Sequence, residues 1–410
     1  MIRKILKYLV YSIFTIIVLV NVFILLTGRY YLYSGIVKTY FVGKTGPGIY
    51  DLDVFPVNTI KKSKSPYQFV LAKNKSELTL SKTDLDYHTQ FDTKAFLVFQ
   101  GDTLIFEKYW DEHNVNQVSN SFSAAKTVIG LLIGIAIEEG KIQSVDDFAG
   151  KYIPEFNKNG REKITIRHLL TMSAGFDWHE SGSNPLSEAA EGYYGNDLFG
   201  LVTRLRVIET PGQRFNYQSG NSQILGFILE RATGKSLHQY TEEKLWQPLG
   251  AGSNAFWSLD KENGAEKAFC CLYATARDFA LIGQLILNKG KWNNKQVVPI
   301  WFMEKMVETP KMSTKEGVKN MRYGWHIWIY KNHGDPVYYC RGLKGQYMIA
   351  IPGKNRVIVR LGTKRDEHYS MPESRLNDKA YRKENNEKYG HTLDLYRYLD
   401  MAERIVAQRQ

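Results

Sequence analysis

The stretch "SFSAAKTVIGLLIGIAIEEG" (121–140) sets the strongest constraint on this chain. From Val128 through Ile137 every residue is apolar or glycine, so no helical phase leaves a polar stripe. A helix that is apolar all round belongs at the centre of a domain. The fold has to be built around this segment, and whatever stands at its head is carried into the core with it. There the spacing puts Ser123 and Lys126 at i and i+3, side by side on the first turn.

Burial gives that pair a chemical meaning. A serine hydroxyl is a weak nucleophile until a base takes its proton, and a lysine becomes such a base only when burial or a cationic neighbour lowers its pKa. The residues after Lys126 supply the burial. The free N–H groups at a helix start also favour the negative charge of an oxyanion intermediate. The S-x-x-K spelling is weak by itself, because serine is a common helix cap and Ser258-Leu-Asp-Lys261 matches too. That second copy lies in "WSLDKENGAE", a charged, turn-like stretch that leaves Lys261 in water. Ser123 is the candidate.

A second apolar run, Tyr8 to Thr27, carries no charge and follows Arg3, Lys4 and Lys7. It is long enough to span a bilayer. Its exit, "LLTGRYYLYSG", lacks the small residues of a signal-peptidase site, so an uncleaved anchor is expected, with the lipid bilayer as partner. Under the positive-inside rule the basic start stays in the cytoplasm and the remainder faces outward, although Arg29, Lys38 and Lys44 soften the asymmetry. Residues 1–27 are then the cytoplasmic tip and anchor, 28–85 a turn-rich stalk containing "GKTGPG" and "KKSKSP", and 86–410 the main domain.

Within that domain, "KAFLVFQGDTLIFEKYW" (94–110) predicts a hairpin turning at Gly101 and Asp102. From about 140 to 320 the pattern is mostly helical, through "TIRHLLTMSAG", "NSQILGFILERATGK" and "ARDFALIGQLILNKG". Strands return in "RYGWHIWIY", "QYMIAIP" and "RVIVRLG", and "TLDLYRYLDMAERIVAQ" closes as an amphipathic helix. The expected class is α/β: an antiparallel sheet flanked by helices, with an inserted helical subdomain at about 140–320 and one N-terminal transmembrane helix.

The net charge of +12 is spread without a basic helix or a stripe of interleaved aromatics, so nucleic acid is not expected as a partner. Nine histidines show no metal-ligand spacing, and no metal or cofactor is called for. His168 and His326 read as structural. Cys270, Cys271 and Cys340 are the three cysteines; neighbours in sequence rarely bridge each other, so small buried thiols are expected, with a long-range bridge to Cys340 as the alternative.

The order of the later segments adds a resemblance. "LLTMSAGF", "RFNYQSGNSQILGFILERATGKS", "YATARDFALIGQLILNKGKW" and "CRGLKGQYMIAIPGKNRVIVRLG" follow one another as in the serine β-lactamase-like superfamily, which includes class C β-lactamases and penicillin-binding proteins. The resemblance covers roughly residues 90–365, and "YQS" with "GLKGQY" is most similar to the 6-aminohexanoate-dimer hydrolase and carboxylesterase branch. It implies Ser123 as nucleophile, Lys126 as its partner and Tyr217 as the tyrosine of the second motif, with Ser219 where many members have asparagine. Tyr193 and Tyr194 fall in a loop that covers substrate in the amide-hydrolase branch.

The third motif departs from the pattern, since Cys340-Arg341-Gly342 stands in place of K-T-G or H-T-G. Gly342 permits close backbone approach, the Leu343 N–H would complete an oxyanion hole with that of Ser123, and Arg341 or Lys344 would compensate for the missing cation. A literal Lys44-Thr45-Gly46 lies ahead of the nucleophile and is a decoy. The implied activity is a serine hydrolase of small-molecule or peptide amides and esters. A β-lactamase or peptidoglycan D,D-peptidase and an inactive wall-peptide-binding or partner-binding relative are the alternatives, and the oligomeric state is not indicated.

Overall fold

The computed structural model describes residues 2–315, 317–332, 335–370 and 391–409. In chain order it begins with α1 (Ile2–Thr27), α2 (Tyr31–Lys38), β1 (Val57–Ile60), β2 (Val70–Leu71), β3 (Thr93–Gln100), β4 (Thr103–Tyr109), β5 (Ser119–Asn120) and α3 (Ala125–Glu138). It continues through α4 (Glu188–Tyr194), α5 (Ser219–Thr233), β6 (Ala255–Ser258), β7 (Leu272–Ala274) and α6 (Ala276–Leu287). It ends with β8 (Trp328–Asn332), β9 (Asp335–Gly342), β10 (Gln346–Ile351), β11 (Arg356–Gly362) and α7 (Leu393–Ala407).

The main sheet runs β8-β9-β10-β11-β3-β4-β2. Its pairs are antiparallel except that β2 joins β4 in parallel. Successive side chains of a strand point to opposite faces, and β3 divides its apolar residues accordingly. Ala95, Leu97 and Phe99 pack with α3 and α6, while Phe96 and Val98 join Leu395, Met401 and Ile405 of α7. The expected hairpin is present, turning at Gly101 with a left-handed φ of 59°.

α3 lies on the inner face of this sheet and is buried along nearly its whole length. Each fully buried Leu or Ile side chain contributes about 1.5–3 kcal/mol, so the run that dominates the sequence also anchors the core. α5 packs beside α3 and is stopped by Gly234 in the left-handed region. The region at about 140–320 is mixed rather than purely helical, because β6 and β7 form a second sheet in the order β1-β6-β7-β5.

Residues 28–85 do not stand apart as a stalk. β1 pairs with β6, from Val57 opposite Ser258 to Ile60 opposite Ala255, and Ile49, Phe55 and Ile60 are buried in the main core. Their apolar side chains are spaced widely among prolines and lysines. That pattern resembles a linker in sequence, but each side chain fills a separate gap in a surface the rest of the chain has already made. The approach from α1 is equally close. Ile24 is buried, the Tyr33 hydroxyl donates to Asn21 Oδ1 at 2.7 Å, and Arg29 Nη1 and the Tyr31 hydroxyl donate to the carbonyls of Leu186 and Pro185.

The cysteines depart from expectation. Cys270 and Cys271 are joined to each other by a disulfide, and Cys340 is a buried free thiol.

Candidate active site

The turn that carries Ser123 is assembled before α3 begins. Ser121 N–H donates to Leu272 O at 2.9 Å, tying the end of β5 to β7, and Phe122 N–H donates to Asn120 Oδ1 at 2.8 Å. Phe122 sits at φ 46°, a left-handed conformation costly for a bulky residue, of order 1–3 kcal/mol. Its ring is buried in the main core, which holds the backbone there. The reversal places Ser123 in a short 3-10 turn, Phe122–Ala124, from which α3 continues.

Lys126 is 1% exposed, and its Nζ donates to Ser123 Oγ at 2.9 Å and to Phe269 O at 2.7 Å. Burial lowers its pKa from the ordinary lysine value to about 8, with the negative charge of Glu180 pulling the other way. The apolar run therefore does what its pattern implied: it takes a lysine amine out of water beside a serine hydroxyl.

Tyr217 arrives from the segment before α5. Its ring stacks on Trp328 of β8, with centroids 5.5 Å apart, and meets Tyr323 edge-on. Lys126 Nζ stands 5.2 Å from the Tyr217 ring centroid. Burial first and Glu180 second raise the phenol pKa, while Ser123, Arg341 and Arg365 oppose them. The phenol stays protonated at neutral pH.

Ser123, Tyr217, Ser219, Arg341, Gly342, Leu343 and Tyr194 all line one cavity of about 300 Å³. Ser219 is already engaged: its N–H and Oγ donate to Glu180 at 2.7 and 2.6 Å, and Trp178 Nε1 donates to the same carboxylate. Glu180 thus caps the start of α5, where an anion is favoured. The Arg341 guanidinium lies 4.1 Å from the Trp328 ring centroid. At Gly342 a β-carbon would fall 2.1 Å from Ser121 O, so only glycine lets the end of β9 lie against the turn that carries Ser123. Lys344 is in the following turn, where Arg360 Nη1 donates to its carbonyl.

Tyr193 and Tyr194 end helix α4 rather than a loop, and both line the cavity, Tyr193 from a buried position. His326 hydrogen-bonds Ser222 and Leu170 O, and His168 closes a capping box with Thr165, so both are structural as expected. Ser258 is buried in β6 while Lys261 is exposed, so that copy of S-x-x-K makes no pair. Glu180 and Arg365 also line the cavity and were not singled out from sequence, because nothing in a single charged residue distinguishes a cavity wall from a surface. Cys270 lines it too, next to the residue whose carbonyl holds Lys126.

Known proteins resemble this chain in sequence and in fold. The profile of the family described as Beta-lactamase matches residues 84–382. The chain is 26% identical to 6-aminohexanoate-dimer hydrolase of Paenarthrobacter ureafaciens over 288 residues, covering 66% of this chain and 72% of that protein. Among solved structures, the "Putative 6-aminohexanoate-dimer hydrolase from Bacillus anthracis" superposes with a TM-score of 0.70 at 23% identity, over 86% of this chain and 92% of the other. A family VIII carboxylesterase superposes with a TM-score of 0.60 at 16% identity, over 82% and 99%. These two likenesses speak for the fold. The profile, spanning more than half of the chain, makes the protein a member of the Beta-lactamase family.

Proposed function

We propose that this is a membrane-anchored serine hydrolase that cleaves amide or ester bonds through an acyl-enzyme on Ser123, with its catalytic domain outside the cytoplasm. The contact that carries the reading is Lys126 Nζ, itself 1% exposed, at 2.9 Å from Ser123 Oγ. The neutral amine takes the Ser123 proton as Oγ bonds to the substrate carbonyl carbon. The Ser123 and Leu343 N–H groups then face the developing oxyanion. Tyr217, protonated and lining the same cavity as Ser123, passes a proton to the leaving amine or alcohol as the C–N or C–O bond breaks. Water enters by the reverse proton route, releases the acid and restores Ser123.

The 6-aminohexanoate-dimer hydrolase relative and the carboxylesterase neighbour support amides and esters as substrates. A fluorophosphonate probe tests the nucleophile: wild type is expected to label covalently and Ser123→Ala not at all. An unlabelled wild type would support the non-catalytic alternative.

A second reading, hydrolysis of β-lactams or D-Ala-D-Ala peptides, is favoured by Arg341 and Arg365 both reaching the cavity, where they offer a positive edge to a substrate carboxylate. A panel of nitrocefin, a D-Ala-D-Ala peptide, and short esters and amides separates the two.

A further inference from the structure

The segment between the apolar helix and the core presents a face that the fold does not use. Tyr30, just ahead of α2, and Tyr33 and Val37 within it recur at helical spacing, and the next turn adds Tyr40, Phe41 and Val42, exposed by 68%, 79% and 56%. The basic residues of the segment are turned away from this face. Arg29 donates to Leu186 O and Tyr31, Lys38 lies 4.1 Å from the Phe55 ring centroid, and Lys44 is paired with Asp51. What remains outward is aromatic and aliphatic, in direct continuity with α1.

Behind this face lies the cavity. A β-carbon at Gly35 of α2 would sit 3.5 Å from the Tyr194 ring, and Tyr194 lines the cavity beside Ser123. Pro47, just past the exposed turn, lines it as well. One aromatic ring therefore separates the α2 segment from the catalytic pocket.

We propose that Tyr30, Tyr33, Val37, Tyr40, Phe41 and Val42 form a collar that seats the catalytic domain on the bilayer surface, with the mouth of the pocket at the interface, so that it takes amphiphilic esters or amides whose tails remain in the membrane. This rests on α1 being the membrane span of the proposed function. Tyrosine and other aromatic rings favour the headgroup level. Because the cations are engaged internally, the contact is apolar and does not depend on anionic lipid or low salt.

The test uses the full chain in phosphatidylcholine vesicles. Cys340 is buried and Cys270 is bonded to Cys271, so Phe41→Cys gives one reactive thiol for an environment-sensitive nitrobenzoxadiazole dye. The dye is expected to be quenched by spin-labelled lipid and shielded from aqueous iodide. Free quenching by iodide in a chain that resists alkaline carbonate extraction overturns the collar alone; release by carbonate overturns the span and the collar together.

A triple variant, Tyr40→Ser with Phe41→Ser and Val42→Ser, gives the functional readout. It is expected to lose about tenfold in hydrolysis of a long-chain fluorogenic ester dissolved in the vesicles and to stay within about twofold of wild type on a water-soluble short-chain ester. Equal rates on the vesicle ester, or equal losses on both, overturn the proposal. Fluorophosphonate labelling of Ser123 in the same samples reports separately on the catalytic reading.

Discussion

Lys126 Nζ donates to the Ser123 hydroxyl and the Phe269 carbonyl, and burial lowers its pKa to about 8. In the proposed role of base it would act in the neutral form, so kcat/KM is expected to rise with pH through about 8 and level off above it, measured on a neutral ester. Lys126→Met should remove that limb and about 10²–10⁴ of the rate. Tyr217→Phe should lower the rate while the limb near 8 stays; loss of the limb in that variant would make the tyrosine the base instead. At this scale much was legible, because Ser123, Lys126 and Tyr217 each belong to a spelled motif and the apolar run announces their burial. Phe122 was not, since its left-handed φ is imposed by Asn120 and by the packing of its own ring, neither of which leaves a trace in neighbouring residue types. The bond between Cys270 and Cys271 likewise depends on a local backbone conformation, with Cys271 at φ 67°.

Between elements, β9 at Gly342 lies closely against the turn that carries Ser123. Gly342→Ala would force its methyl group against Ser121 O and push the strand end and the Leu343 N–H outward. The expected result is a fall in kcat of about 10²-fold, the size of losing one oxyanion donor, with KM for a small ester little changed in steady-state assays. The main strands were legible from alternation and runs of β-branched residues, and the hairpin at Gly101 from its turn residues. β1 was not. Four residues preceded by Pro56 and followed by Lys61 and Lys62 carry too little periodicity to separate strand from linker, and their pairing is decided by β6 nearly two hundred positions away.

For the whole molecule, the packing of residues 49–60 into the core has a direct consequence for stability. Ile60→Ala is expected to cost about 2–5 kcal/mol, read as a shifted denaturation midpoint, whereas a true stalk position would tolerate it. The pairing of β3 with β11 reaches further. Thr93–Gln100 finds its neighbour in Arg356–Gly362, so the central strand is made early and completed only when most of the chain has been synthesised. Contacts of such sequence separation form slowly. Until β11 arrives, the apolar side of β3 and the whole of α3 have no finished sheet to lie on. In the topology we propose, with the domain exported, the chain is threaded unfolded, and the late closing strand would delay assembly of the Ser123 pocket until nearly all of the domain had emerged on the far side.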